Sequence, residues 1–404
     1  MEKRGILLLT ALVLLLASLT SGAQPLSRAD STALRLVEAG FANVRAAESG
    51  DYTVFTVEND YYKIPAEGFA RAVSIVEAAG LDASKPVKII GTSRRVPEVT
   101  ITRDPASGGW RTTRRLDASW DLVRGQELRN SSFGKVDIVV YPQVSLMNLI
   151  ITQVYQSLWQ LSPAVEVSLW PGSKLSYQVQ IPVVNDGYGP LQSRIHAGII
   201  TLSQSFRDPW GWNILGKVTV GRFSNKRYGI ALEAAYHFPN ERFWVDGRIA
   251  LLDLCEAYGL VLAPNSNLEF RLFGNLAFNY YCPMLQTQFT LRAERFLIGD
   301  PGAKFEMIRH FRHCSIGFYA MKGLDKAALT NGGFRFQVAL PPYGQKRHGY
   351  VPRLTTSGQM GISYNANNER YYYKEFRTEA SDNIMSKNSF NPYYIDGVIG
   401  RRGL

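Results

Sequence analysis

The sequence predicts a mainly β fold: a transmembrane antiparallel β-barrel of about 12 strands, preceded by a small α/β module. Three observations lead there. Beyond residue 108, runs of about ten residues alternate apolar and polar side chains, and the polar face repeatedly carries charge. The chain is rich in glycine (35), tyrosine (21) and phenylalanine (20) without long apolar runs, as expected where each strand shows one face to lipid and the other to a lumen. Past the first two dozen residues, no stretch approaches the roughly 18 uncharged apolar residues that a helical span needs.

The opening MEKRGILLLTALVLLLASLTSGAQ places Lys3 and Arg4 before an apolar run from Ile6 to Leu19, then the small residues Ser21-Gly22-Ala23. It reads as a secretory signal peptide, residues 1–23, with cleavage after Ala23 and no nearby cysteine to carry a lipid. Residues 24–107 read as the α/β module, placed by such a signal in the periplasm. SRADSTALRLVEAGF has a polar start, helical spacing at Leu34, Val37 and Phe41, and a glycine stop at Gly40. A hairpin is predicted around Ser49-Gly50-Asp51. AEGFARAVSIVEAAGL returns to helical period, and KPVKIIGTS and PEVTITRD supply two more strands.

Residues 108–364 form the predicted barrel. In YGIALEAAYHF, Tyr228, Ile230, Leu232, Ala234, Tyr236 and Phe238 share one face, against Glu233 and His237. NLEFRLF sets Leu268, Phe270 and Leu272 against Glu269 and Arg271. QFTLRAERF sets Phe289, Leu291 and Ala293 against Thr290, Arg292 and Glu294, and GFRFQVAL sets Phe334, Phe336, Val338 and Leu340 against Arg335 and Gln337. A soluble sandwich shows the same alternation, but its strands are usually five or six residues long, short of the 9–11 or so that cross a bilayer at a tilt. Aromatic residues near strand ends, Tyr228 and Phe238, Trp210 and Trp212, Phe243 and Trp244, fit interfacial girdles.

Charge facing hydrocarbon is costly, so the polar face should line the lumen. Lys217, Glu233, Asp246, Arg248, Glu269, Arg271, Arg292, Glu294 and Arg335 are the candidate lumen residues. The net charge of +11 suits anionic neighbours, whether lipopolysaccharide at the loops or an acidic polymer in an open lumen. The stretch 365–404 is polar with little alternation and reads as an extension or a last strand; its final IDGVIGRRGL lacks the terminal aromatic common in outer-membrane barrels.

Motifs of catalysis and cofactor binding are missing: no Gly-x-Ser-x-Gly elbow, no His-Glu-x-x-His, no phosphate loop and no dinucleotide fingerprint. RHFRHC brings His310, His313 and Cys314 together, but neighbours on a strand point to opposite faces, so a turn near Arg312 is the simpler reading than a metal site. His196 with Ser203 or Ser205 would be a hydrolase pairing, yet seven residues of strand span more than about 20 Å. Glu233, Glu269, Glu294 and Glu306 could pair as glycosidase acids; alternating with Arg and Lys, they read as a lattice of opposite charges. Three cysteines, Cys255, Cys282 and Cys314, allow at most one disulfide. No catalytic residue, metal, cofactor or nucleic-acid partner is expected.

The runs GRFSNKRYGIALEAAYHF, ERFLIGDPGAKFEMIRHFRHCSIGFYAMKG and GGFRFQVALPP, with GFANVRAA and YTVFTVENDYYKIPAEGFARAV before them, resemble in their order the YjbH family of exopolysaccharide-biosynthesis outer-membrane proteins. Larger family members are roughly twice as long, so this chain resembles a shorter, single-barrel relative. The resemblance implies an outer-membrane barrel with a non-enzymatic part in exopolysaccharide export or assembly. Its partners would be outer-membrane lipid or lipopolysaccharide, an anionic exopolysaccharide and other export-system proteins. The alternatives are a small-solute porin or uptake channel, or an outer-membrane enzyme modifying lipid or glycan.

Overall fold

The computed structural model describes residues 26–147, 156–255, 259–261, 269–297, 299–324, 330–340, 344–366 and 375–401. The leader, with the cleavage point after Ala23, and Leu268 lie outside them. The first unit is an α/β module. Helix α1 (Arg28–Glu38) begins where the Ser27 hydroxyl accepts a hydrogen bond from the Asp30 N–H at 3.0 Å. Strands β1 (Phe41–Glu48) and β2 (Thr53–Asn59) form the expected hairpin, and helix α2 (Pro65–Glu77) carries the chain across to β3 (Val87–Ser93), parallel to β2. Strand β4 (Val96–Arg103) and the short β5 (Trp110–Thr113) complete a sheet in the order β1-β2-β3-β4-β5. Helix α3 (Ala118–Arg124) follows. Neither β5 nor α3 is long enough to announce itself by periodicity, and both lie beyond residue 107, where the sequence suggests the module ends.

The barrel comprises β6 (Val136–Met147), β7 (Gln156–Val167), β8 (Ser173–Asp186), β9 (His196–Arg207), β10 (Ile214–Phe223), β11 (Arg227–His237), β12 (Phe243–Leu254), β13 (Arg271–Cys282), β14 (Thr287–Arg295), β15 (Pro301–His310), β16 (Cys314–Gly323) and β17 (Asn331–Ala339). Each pairs antiparallel with the next. The final wall element comes in two pieces, β18 (Arg353–Thr356) and β19 (Gln359–Asn365), which run along the same edge of β6 with a bulge between them. Counted as one strand they make a closed barrel of 13. An odd number forces the first and last strands to run the same way, and the β19–β6 seam is parallel.

Face assignment follows the alternation. Ile230, Leu232, Leu272, Leu276, Leu291, Phe305 and Phe334 are exposed on the outside, whereas Thr219, Asn279, Gln288, Thr290, Lys304 and Glu306 are buried within. Outer aromatic residues stand near both rims, and Phe305 and Phe318 lie mid-strand between them. Phe243 stacks on Tyr280 at 4.9 Å between ring centroids near the module, and Tyr228 meets Phe270 edge-on at 5.5 Å near the opposite rim. Trp210 and Trp212 stand exposed in the β9–β10 turn. Trp244 departs from the expected girdle: it pairs with the inward His237, and the two rings stack at 5.8 Å. Among the described residues, no helix is long and apolar enough to cross a membrane.

The last described segment does not add a strand. Residues 375–391 re-enter the barrel from the rim opposite the module and run down its interior, and helix α4 (Pro392–Gly400) then joins the module. The wall's last strand therefore ends at Asn365, with Tyr364 stacked on Phe334 at 5.2 Å. Tyr394, Ile395 and Ile399 of α4 enter the same core as Phe41, Phe69, Val73 and Ile89. Ile395 is fully buried. The substitution Ile395→Ala should therefore destabilise the module by about 2–4 kcal/mol, read as faster hydrogen exchange of the β3 amides. Exchange unchanged from the parent chain would mean that α4 only rests against the module.

Candidate functional site

The inner wall is polar by register: every second residue points inward, and that set contains Gln160, Ser162, Gln178, Thr201, Ser203 and Thr219. The descending tail (residues 375–391) uses two apolar seats in this wall. Phe376 packs with Phe223, Ala231, Leu252 and Phe273, and Ala380 packs with Tyr141, Ala164 and Ile199. Between and around these seats, charge is arranged in two clusters, each centred on a tail carboxylate.

Glu375 meets Lys304 at 2.7 Å, Arg292 at 2.9 Å and Arg335 at 3.3 Å. Glu379 meets Arg94 at 3.1 Å, Lys217 at 3.3 Å and Lys174 at 3.4 Å. The wall answers the same cations with its own acids: Glu294 lies 3.9 Å from Arg292, Glu306 lies 3.8 Å from Arg335, Glu233 lies 2.6 Å from Lys217, and Glu166 lies 2.9 Å from Lys174. Glu233 also pairs with Arg248, and the tail's Lys387 pairs with Glu306. Removing both charges of one such pair from water is costly, so each of these cations except Arg94 is shared between a wall acid and the tail rather than left with one contact. A cavity of about 700 Å³ remains beside the tail, bounded by Glu233, Asp246, Arg248, Arg292 and the module's Asp60 and Lys63.

The module closes one end of the lumen, and its β3–β4 hairpin is the closest approach. Arg94 and Arg95 occupy the turn with φ of 52° and 65°, the left-handed conformation that a two-residue hairpin turn requires and that asparagine or glycine adopts more easily. The turn places Arg94 inside the barrel mouth, where its guanidinium donates to both oxygens of Glu379 at 3.1 Å and to the Ser203 hydroxyl at 3.1 Å. Its carbonyl accepts from the Gly172 N–H at 2.7 Å. Gly172 has φ of 81°, and a Cβ there would stand 2.2 Å from the Ser205 carbonyl oxygen. Only glycine fits that approach. Arg95 turns the other way and stacks on Phe133 at 3.4 Å.

Of the candidate lumen residues, Lys217, Glu233, Asp246, Arg248, Arg292, Glu294 and Arg335 all face the interior, and Asp246 accepts from the Asn279 amide at 2.5 Å. Glu269 and Arg271 do not join them. They pair with each other at 3.3 Å, largely exposed at the rim away from the module: Arg271 has the inward parity but is the first residue of its strand, above the enclosed volume. Missing from the sequence reading are Lys174, Lys304, Glu375, Glu379 and the module's Arg94. Lys304 alternates with Phe305 and Met307 beside Glu306, and that signal could have found it. Nothing in a polar tail without alternation marks Glu375 or Glu379 as buried.

The other chemistry-bearing residues are dispersed. His196 opens β9 with its Nδ1 2.8 Å from the Arg194 carbonyl oxygen, beyond a register shift in the β8–β9 pairing, and Ser203 is held by Arg94. His310 is buried with its Nδ1 at 2.9 Å from the Ser315 hydroxyl, while His313 lies exposed in the turn and Cys314 opens β16 on the outer face. The three cysteines are free thiols. Among the described residues no group of His, Cys, Asp and Glu is arranged to hold a metal ion.

Two expectations follow. Arg94→Asn keeps the left-handed turn and removes the bonds to Glu379, charge-assisted contacts worth about 1.5–3 kcal/mol, so a glutamate-specific protease should cut after Glu379 roughly ten times faster; an unchanged rate would mean that the tail is held elsewhere. The second concerns Lys63, which donates to the Thr355 hydroxyl at 2.9 Å at the cavity floor. Burial, aided by the charge of Arg353 and opposed by that of Asp137, pushes its ammonium down from 10.5 to about 8. The unfolded chain then binds this proton more tightly than the folded one, so stability rises as pH climbs from about 8 to about 10.5. Relative to Lys63→Met, the parent chain should gain stability across that window in chemical denaturation, and parallel curves would contradict the assignment.

In comparisons with known proteins, no family model, no curated protein and no solved structure matches the chain.

Proposed function

We propose that this chain is an outer-membrane barrel with its α/β module in the periplasm, acting without catalysis in the export or assembly of an extracellular polysaccharide. The observation that carries the reading is the barrel itself: an apolar outer wall bounded by aromatic residues at both rims around a charged interior, crossed by the chain's own tail. The outer face offers leucine, isoleucine and phenylalanine to lipid over strands of 9 to 14 residues, the span that a tilted transmembrane strand needs. Five of the six connections on the module side have six residues or fewer between strands, whereas those opposite reach sixteen between β12 and β13. Outer-membrane barrels keep short turns in the periplasm and longer loops outside, which supports the orientation, as does the leader-like N-terminus.

The specific link to an exopolysaccharide rests on the resemblance of the barrel strands to the YjbH family. The tail supports that reading over a small-solute porin, because a lumen held by six ion pairs to Glu375 and Glu379 is not a standing water channel.

Location and face are tested together. The parent chain should fractionate with the outer membrane and migrate as a heat-modifiable band, because a closed barrel resists detergent until boiled. Leu232→Arg, which puts a charge on the outer wall at a cost of roughly 2–4 kcal/mol near the bilayer midplane, should lose that band. Release of the parent chain by carbonate would remove the membrane reading, and a Leu232→Arg band equal to the parent's would remove the assigned faces. Loss of secreted polymer on deletion of the chain, restored by its return, tests the export role.

A further inference from the structure

We propose that the lumen is a binding path for a linear carboxylated polysaccharide, and that Glu375 and Glu379 occupy two of its carboxylate subsites while the tail is in place. This deepens the export reading by naming the polymer's chemistry, and it rests on that reading only for the choice of a saccharide. The argument begins with the wall after the tail's own groups are set aside. Around Glu375 stand three cations, Arg292, Lys304 and Arg335, and two wall carboxylates, Glu294 and Glu306. Around Glu379 stand Arg94, Lys174 and Lys217, with Glu166 and Glu233 as their wall partners. Each cradle therefore carries more positive than negative groups, and each is completed by one carboxylate. A neutral chain would leave enclosed cations without compensation.

Geometry narrows the ligand further. Arg94 reaches both oxygens of Glu379 through one guanidinium nitrogen, Nη2, each at 3.1 Å, a charge-assisted contact that suits a carboxylate. Four chain steps separate the two glutamates, so their Cα atoms stand at most about 14 Å apart along the path. Beside them the wall offers Phe223 and Tyr141, against which the tail lays Phe376 and Ala380. Those flat apolar surfaces would take the C–H faces of pyranose rings, while the cradles take the carboxylates that project from them. Because the wall acids still pair every cation except Arg94, the barrel keeps most of its internal compensation when the tail withdraws.

The test uses the full chain in lipid nanodiscs and a fluorescent linear oligogalacturonate, with a maltodextrin of equal length and an inorganic polyphosphate as separate arms. The pair E375Q and E379Q weakens the internal competitor and leaves both cradles whole. Oligogalacturonate should then bind about tenfold tighter than to the parent chain, and maltodextrin should bind neither. Adding R335Q and K217Q to that pair should reverse the gain. Equal affinity in parent and paired variant overturns the proposal, and so does polyphosphate binding as tightly as oligogalacturonate, which would show selection for charge alone. If the paired variant fails to give a heat-modifiable band, E375Q and E379Q are measured singly; a gain of about threefold in either supports the proposal, and no change in both overturns it. Polymer secretion is read separately in cells. Oligogalacturonate binding with secretion unaffected by loss of the chain keeps the lumen site and removes the export role. Lost secretion without oligogalacturonate binding overturns the lumen site alone.

Discussion

Enclosed charge must be compensated, and the rest of this structure follows from how that is done. A barrel wall built from alternating residues puts half of its side chains inside, and here that half includes Lys174, Lys217, Arg248, Arg292, Lys304 and Arg335. The wall acids neutralise part of this set and the tail supplies the remainder through Glu375 and Glu379. Held there, the tail must run from one rim to the other. That route delivers α4 to the module on the far side, where Ile395 and Ile399 complete a core that α1, α2 and the sheet leave open.

Module, barrel and tail are therefore one cooperative assembly. Arg94 belongs to the module by sequence but makes its ion pair within the lumen, and α4 belongs to the tail but packs in the module. Further ties at the rim reinforce this: Arg347 and Arg353 both reach Asp137 of β6, at 2.6 Å and 2.8 Å, and Arg347 also reaches Asp60 of the module at 2.7 Å. Holding Arg94 and Arg95 in the left-handed region costs a few kcal/mol by ordinary backbone preference. The bonds to Glu379, Ser203, Asn43 and Ser131 and the stack on Phe133 offset it. A turn of asparagine and glycine would be easier to fold and would latch nothing.

Much of this was legible in the sequence because alternation is a direct consequence of strand geometry. Leu232 outward and Glu233 inward, Leu291 outward and Arg292 inward, Phe334 outward and Arg335 inward could each be read from parity alone, and the helices α1 and α2 from their spacing and stops. Parity reports face and is silent on height, so Arg271 has the right face but sits above the enclosed volume; Trp244 shares the inward parity of Asp246 and Arg248, which a girdle reading from its place near the strand end overlooks. Strand number was read as about 12 against 13, because closure by a parallel seam between β6 and β19 leaves no local mark. The tail was the least legible part. Its glutamates are buried by long-range pairing, and α4, with Pro392 and Gly397 in nine residues, has too weak a periodicity to stand out.

The central claim is that the tail lies inside the folded barrel. Ala380 is almost fully buried against Tyr141, Ala164 and Ile199, so it reports directly on that position. With Cys255, Cys282 and Cys314 changed to serine, a cysteine placed by Ala380→Cys should resist a bulky, water-soluble maleimide in the assembled protein and react at once after denaturation. Rapid and complete labelling of the folded, heat-modifiable barrel would place the tail outside the lumen and contradict the account.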